Sequence, residues 1–439
     1  MFLLQNSFLI QYKSDHSVLY TVVKKNFLNK IVACVIFFLP FSGNAFGVLT
    51  HEAIIDGLWE KSIVPILKAK YPSSTAEELK EAHAYAYGGA VAPDMGFYPF
   101  GSALFTNLVH YVRSGDMVTA LLKNANTINQ YAFAIGFMSH YYADNYGHPI
   151  ATNRSVAVVY PNLRKKYGSV ITYAENKISH MRMEFGFDVL EVSKGNYASD
   201  KYHGVIGFKV DTTVLRKAFF ETYGLDIDDV FKHKLLLAVE VFRWTVANVF
   251  PFITKAAWSV KSSDILKKDS TATSKKFRYK MRTKQYKQEF GTAYKHPGFF
   301  PSVISFFIRV LPKVGPLRAL KFRTPTALAE KYFVQSFDSI TFHYAAGLKR
   351  LNSGINFKDF DFDTGKPTAL CEYSIADNTY DAWLMQLKND KFKNISLNMK
   401  QNIIGFYHWQ DASDNIQYTK KCKEVYDAYK ELQNNNLDK

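Results

Sequence analysis

The chain is poor in cysteine, with only Cys34, Cys371 and Cys422 in 439 residues. If the first leaves with an export segment, at most one disulfide remains, so stability must come from a packed core, with or without metal. Beyond the N-terminal region no stretch reaches the roughly 18 uncharged apolar residues that a spanning helix needs. Period-two alternation is missing through the N-terminal half, which argues against a sheet there. Aromatic residues, by contrast, are abundant: 28 Tyr and 36 Phe within a 47% hydrophobic chain describe a folded protein with a sizeable core. The length allows one large domain or two ordinary ones. A net charge of +16 suits an anionic partner, whether phospholipid surface, nucleic acid or phosphorylated substrate. A merely basic, soluble surface gives the same balance.

Lys24, Lys25 and Lys30 precede an apolar run over residues 31–41, too short to span a bilayer but suited to a secretory signal. Ser42-Gly-Asn-Ala45 follows with small residues for cleavage after Ala45. Residues 1–45 are therefore read as a signal peptide and the mature protein as exported (periplasmic, secreted or envelope-associated). An uncleaved anchor is the alternative. Cleavage would expose Phe46 as the new terminus, a few residues ahead of His51.

The most informative stretch is His140-Tyr-Tyr-Ala-Asp144-Asn-Tyr-Gly-His148. Spacing of four places the three side chains in one line on one face of a helix. The uncharged, apolar residues 131–139 before it predict that this helix is buried. Buried imidazoles and carboxylates need something to satisfy them, and a cation does so well. Hydrogen-bonded core histidines beside a capping Asp are the rival reading.

Other candidates stand around this line. Thr50 reads as the cap of a helix with His51 in its first turn. A helix is predicted over residues 74–87, with Thr75 and Glu78 as a capping box, broken by Gly88-Gly-Ala-Val-Ala-Pro-Asp94. That turn either holds the Asp94 carboxylate inward or is an ordinary Asx-turn. Helical periodicity over 105–122 carries His110, and over 169–191 it carries His180-Met-Arg-Met-Glu184, again four apart. A simple His–Glu helix pair is the plainer reading of the latter. The helical pattern continues over 212–260, so the N-terminal domain reads as all-α.

Residues 261–295 are basic and polar and read as a linker or insertion. Residues 296–439 form a mostly helical C-terminal region of unassigned role. Its apolar stretch 299–322 carries Lys313, Arg318 and Lys321, suited to an anionic membrane surface or to a solvated basic helix face. Asp359-Phe-Asp-Phe-Asp363 has no calcium-loop spacing and is expected to be a solvated strand or loop.

Taken in order, His51, Asp94, His110, His140, Asp144, His148, His180 and Glu184 resemble the ligand series of the zinc-dependent phospholipase C family. That family includes the catalytic domain of glycosylphosphatidylinositol-specific phospholipase D, and fungal single-strand nucleases share its three-zinc site. The resemblance implies an all-α, multi-helix catalytic domain over residues 46–260 and three zinc ions. One would be held by the Phe46 amine and carbonyl, His51 and Asp144. A second would take Asp94, His110, His140 and the other oxygen of Asp144, and the third His148, His180 and Glu184. Asp94 and Asp144 would be the catalytic carboxylates. Two features depart from the bacterial enzymes and nucleases: Phe46 stands where they have Trp, and only three residues separate Asp144 from His148. The short interval matches the phospholipase D-like branch. The implied activity is hydrolysis of a phospholipid or other phosphodiester. The alternatives are a nuclease or nucleotidase on the same site, with nucleic acid as substrate only, and a non-catalytic envelope or lipid-binding protein with structural zinc.

Overall fold

Thr127 accepts a hydrogen bond from the Gln130 backbone N–H and so caps the long helix α5, Ile128–Gly147. Fourteen of its residues from 132 to 145 are buried, which leaves it no solvent face over that length. The structure, a computed structural model, describes residues 47–198, 200–250, 253, 254, 257, 321–408 and 420–435. The principal helices are numbered in chain order: α1 (Val48–Leu58), α2 (Ala76–Val91), α3 (Ala103–Tyr111), α4 (Ser114–Asn124), α5, α6 (Lys177–Lys194), α7 (Thr212–Tyr223), α8 (Ala327–Lys349) and α9 (Ser374–Asn389). Helices α1, α2, α4 and α8 pack around α5. The described residues are all-α apart from one short antiparallel hairpin, β1 (Phe360–Asp361) with β2 (Lys366–Pro367), in the register Phe360↔Pro367.

Helix α2 starts on the expected Thr75–Glu78 capping box but does not stop at Gly88-Gly89. Those glycines let two backbones touch instead. A Cβ on Gly89 would sit 2.0 Å from the Phe133 carbonyl oxygen, and one on Gly136 would sit 2.0 Å from that of Ala86. Glycine costs about 1 kcal/mol of helix propensity here, and in return α2 and α5 approach more closely than side chains would permit. The real break follows Val91, where the 3-10 turn Ala92–Phe97 carries Pro93 and Asp94.

Three further boundaries differ from the sequence pattern. Residues 105–122 form two helices, because Arg113 adopts a left-handed φ of 51° between α3 and α4. The helix expected over 169–191 begins only at α6, where the Asn176 side chain caps it. Thr50 lies inside α1 rather than capping it. The cap comes from a distance: the Asp188 carboxylate of α6 accepts the backbone N–H groups of Leu49 and Thr50 and the Thr50 hydroxyl.

The C-terminal region shares the core. Ile340, Tyr344, Leu348 and Trp383 belong to the same buried apolar cluster as Phe133 and Phe137. The Tyr344 hydroxyl donates to the Ile135 carbonyl at 2.9 Å, and the Trp383 indole N–H donates to that of Tyr223 at 2.8 Å. The acidic stretch 359–363 is a strand and turn, but not a solvated one: Asp361 is 2% and Asp363 1% exposed. Backbone and hydroxyl donors satisfy Asp361 and one oxygen of Asp363, which offsets much of the cost of burying them. The signal-peptide segment, Phe46, the basic stretch 261–295 and nearly all of 299–322 lie outside the described residues. Among the described residues no helix is long and apolar enough to cross a membrane.

The close contact of α2 with α5 is testable. Gly89→Ala is expected to lower unfolding free energy by about 1–3 kcal/mol in denaturant titration, as an overpacked core does. Gly57→Ala, where an added Cβ meets nothing within 4 Å, should leave stability unchanged or raise it by up to ~1 kcal/mol. Equal behaviour of the two variants would refute the close-contact account.

Candidate metal centre

Asp144 lies on α5 one turn beyond His140 and one turn before His148, with no exposed surface. Four imidazoles from three directions face its carboxylate. The Nε2 atoms of His140 and His110 stand 3.1 and 3.5 Å from Oδ2, that of His148 4.0 Å from it, and that of His51 3.6 Å from Oδ1. His51 comes from α1, stacked on the His140 ring at 4.4 Å. His110 comes from the last turn of α3 and also faces Asp94 Oδ1 at 3.4 Å. The turn bearing Asp94 is clamped to α3, since the Thr106 hydroxyl donates to the Pro93 carbonyl and accepts the Gly96 N–H.

Farther along the α5 face, His148 Nε2 stands 3.2 Å from Glu184 Oε1, and His180 Nε2 of α6 stands 2.8 Å from the same oxygen. The chain thus brings eight of the nine sequence-derived candidates into one buried region; Phe46 is the ninth and is not described. Three groups there have ligand atoms close enough to share an ion: His51, Asp94 and His140; His110, His140 and Asp144; His148, His180 and Glu184.

Tautomers support ligation. His140 Nδ1 donates to the Ala90 carbonyl at 2.9 Å and His110 Nδ1 to that of Thr106 at 2.8 Å. In the neutral rings each Nε2 therefore carries a lone pair, and the two Nε2 atoms converge to 3.2 Å. Among the described residues, neither oxygen of Asp94, Asp144 or Glu184 accepts a hydrogen bond of good geometry, although all six are buried. Carboxylate oxygens and imidazole nitrogens massed together without hydrogen bonds of good geometry fit a divalent cation.

Electrostatics of the metal-free site follow from burial and charge. Burial pushes Asp94 above the usual carboxylate range. For Asp144 burial acts upward too, but His140, His148 and His110 outweigh it and hold the group well below that range. Burial would lower His110, yet Asp144 and Asp94 raise it to about 9; against the same burial penalty, Asp144 and Glu184 raise His148 to about 10. His51, buried beside His140, is lowered.

A small recess opens onto these groups, lined by Phe97, Tyr111 and Tyr173 together with His110, Asp144, His148, His180 and Glu184. Its aromatic lining was not singled out from sequence, because Phe and Tyr are too common in this chain to mark a site. Behind the imidazoles Phe362 packs on His110 and His140, with ring centroids 5.3 and 5.9 Å away.

Residues 50–232 match the family model described as zinc dependent phospholipase C. This stretch is similar to the zinc-dependent phospholipase C family. No curated protein and no solved structure matches the chain. The family is zinc-dependent, and the matched stretch contains all three buried groups that could hold metal.

With His110 and His148 raised above neutrality, zinc bound by them would have to displace their protons, and its uptake would be coupled to proton release. Apparent zinc affinity is therefore expected to rise from pH 6 to pH 9, towards the raised values of about 9 and about 10. Calorimetric titration in buffers of different ionisation enthalpy should show protons released at pH 7. A pH-independent affinity with no proton release would contradict these assignments.

Proposed function

We propose that the protein is an exported zinc-dependent phosphodiesterase of the phospholipase C type, acting on phospholipids. The observation that carries this reading is a recess with an aromatic margin onto which His110, Asp144, His148, His180 and Glu184 open, with the group His51, Asp94 and His140 buried beside them. Similarity to the family supports hydrolysis of a phospholipid headgroup bond. Following the resemblance, His51 with Asp144, then Asp94, His110, His140 and Asp144, then His148, His180 and Glu184 would hold three zinc ions. Cleavage after Ala45 would add the Phe46 amine to the first of these.

Bound zinc would supply Lewis-acid polarisation of phosphoryl oxygens and acidification of a water. The chain's own groups do the rest. Asp94, pushed up by burial, is placed to orient a water and take its proton. Asp144 fixes the spacing of the surrounding imidazoles by lying within reach of four of them. Phe97, Tyr111 and Tyr173 offer an apolar margin for the substrate beside a cationic floor. Phe97 and Tyr173 meet at 48° with centroids 6.4 Å apart, not as the parallel walls that would sandwich a nucleobase. This favours lipid over nucleic acid.

Asp144→Asn is the decisive variant, because it disturbs two ligand groups at once. Release of phosphorylated headgroup from phospholipid vesicles should fall by more than the 10–100-fold typical of losing an outer-shell partner. Near-normal hydrolysis by this variant with full zinc content would exclude the mechanism. Digestion of single-stranded nucleic acid without vesicle hydrolysis would move the protein to the nuclease reading. Neither activity, with zinc bound, would leave a structural role for the metal.

A further inference from the structure

Two imidazoles of the centre have their outer nitrogens fixed by backbone carbonyls: His110 by Thr106 and His140 by Ala90. For His148 and His180 the outer edge of each ring faces one carboxylate instead. Asp363 Oδ1 lies 3.5 Å from His148 Nδ1 and 4.0 Å from His180 Nδ1. The inner Nε2 atoms of both rings face Glu184 on the other side, so Asp363 does not stand where the ligand atoms of that group converge.

The other half of this carboxylate is anchored from several directions. Oδ2 accepts the backbone N–H of Tyr173 at 2.8 Å and the hydroxyl of Tyr373 at 2.6 Å. Its own carbonyl accepts the Asn153 side-chain amide at 2.8 Å. Asp361 holds the turn below it by accepting the N–H of Asp363. Oδ1 is left as a buried acceptor with no hydrogen bond among the described residues, aimed at two imidazole edges just outside hydrogen-bonding distance. Asp363 is 1% exposed. A carboxylate buried to this degree and tied on one side only is costly unless its free oxygen has a function.

We infer that Asp363 is a positioning residue for the zinc group His148, His180 and Glu184, taking the Nδ1–H of these two imidazoles so that their Nε2 lone pairs point at the metal. The inference rests on the metal-site reading above. It also assigns a role to the chain outside residues 50–232: the β1–β2 turn closes the centre from behind, with Phe362 against His110 and His140 and Asp363 against His148 and His180. Carboxylate acceptors behind metal-bound histidines set the tautomer and strengthen the ligand, and their loss typically weakens metal binding about 10–100-fold.

The test uses the full-length protein and its Asp363→Asn variant, compared by zinc content and by zinc titration against a competing chelator. Cobalt(II) substitution adds a visible spectrum that reads ligand geometry directly. In Asp363→Asn one class of zinc should weaken about 10–100-fold while the remaining ions stay tight, and the cobalt bands of one site should shift. Tyr373→Phe removes one anchor of Asp363 but keeps the charge, so it should weaken the same class by a smaller factor. Unchanged affinity for every zinc in Asp363→Asn overturns the inference and leaves the family function intact. If Asp363→Asn fails to fold, Tyr373→Phe decides: selective weakening supports the role, and wild-type affinities overturn it. A wild-type protein that binds no zinc removes the metal centre itself, and this inference with it.

Discussion

A carboxylate with no solvent contact, faced by four imidazoles, is an expensive thing to build. Water would stabilise Asp144 and its neighbours far better than a protein interior unless another charge took its place. The fold is arranged around this constraint. Helix α5 carries three of the candidate ligands along one face and is enclosed by α1, α2, α4 and α8, so the cluster cannot relax into solvent. Partial compensation among the groups holds Asp144 down and His110 and His148 up. A divalent cation would complete it, because it meets acidic oxygens and imidazole lone pairs together.

Positions around the cluster serve this arrangement. Glycines at 89 and 136 let α2 lie on α5, which brings Ala90 and its carbonyl to the outer nitrogen of His140. The long-range cap from Asp188 to the start of α1 ties that helix, and hence His51, to α6, which also carries His180 and Glu184. Separate ligand groups are in this way held by shared elements. The C-terminal chain contributes through core packing and through the buried turn that meets four of the imidazoles.

Much of this was legible in the sequence where the signal is periodic. His140, Asp144 and His148, and likewise His180 and Glu184, are spaced four apart, and a helix converts that spacing into one face. The Thr75–Glu78 box is similarly local, and it formed as read. Long-range features were less legible. Gly88-Gly89 reads as a helix break because nothing local shows that another backbone will lie against it. Thr50 reads as a cap because the true cap, Asp188, is distant in the chain. Asp361 and Asp363 read as solvated because charge alone suggests exposure, whereas Tyr173, Thr364 and Tyr373 supply the donors that allow burial.

The central claim is that the buried acids and imidazoles around Asp144 exist to hold metal. Elemental analysis of the purified protein, after dialysis against metal-free buffer, tests it most directly. The account predicts close to three zinc ions per chain, falling when Asp144 is changed to Asn. A folded wild-type protein that carries no zinc, and takes up none on titration, would contradict it.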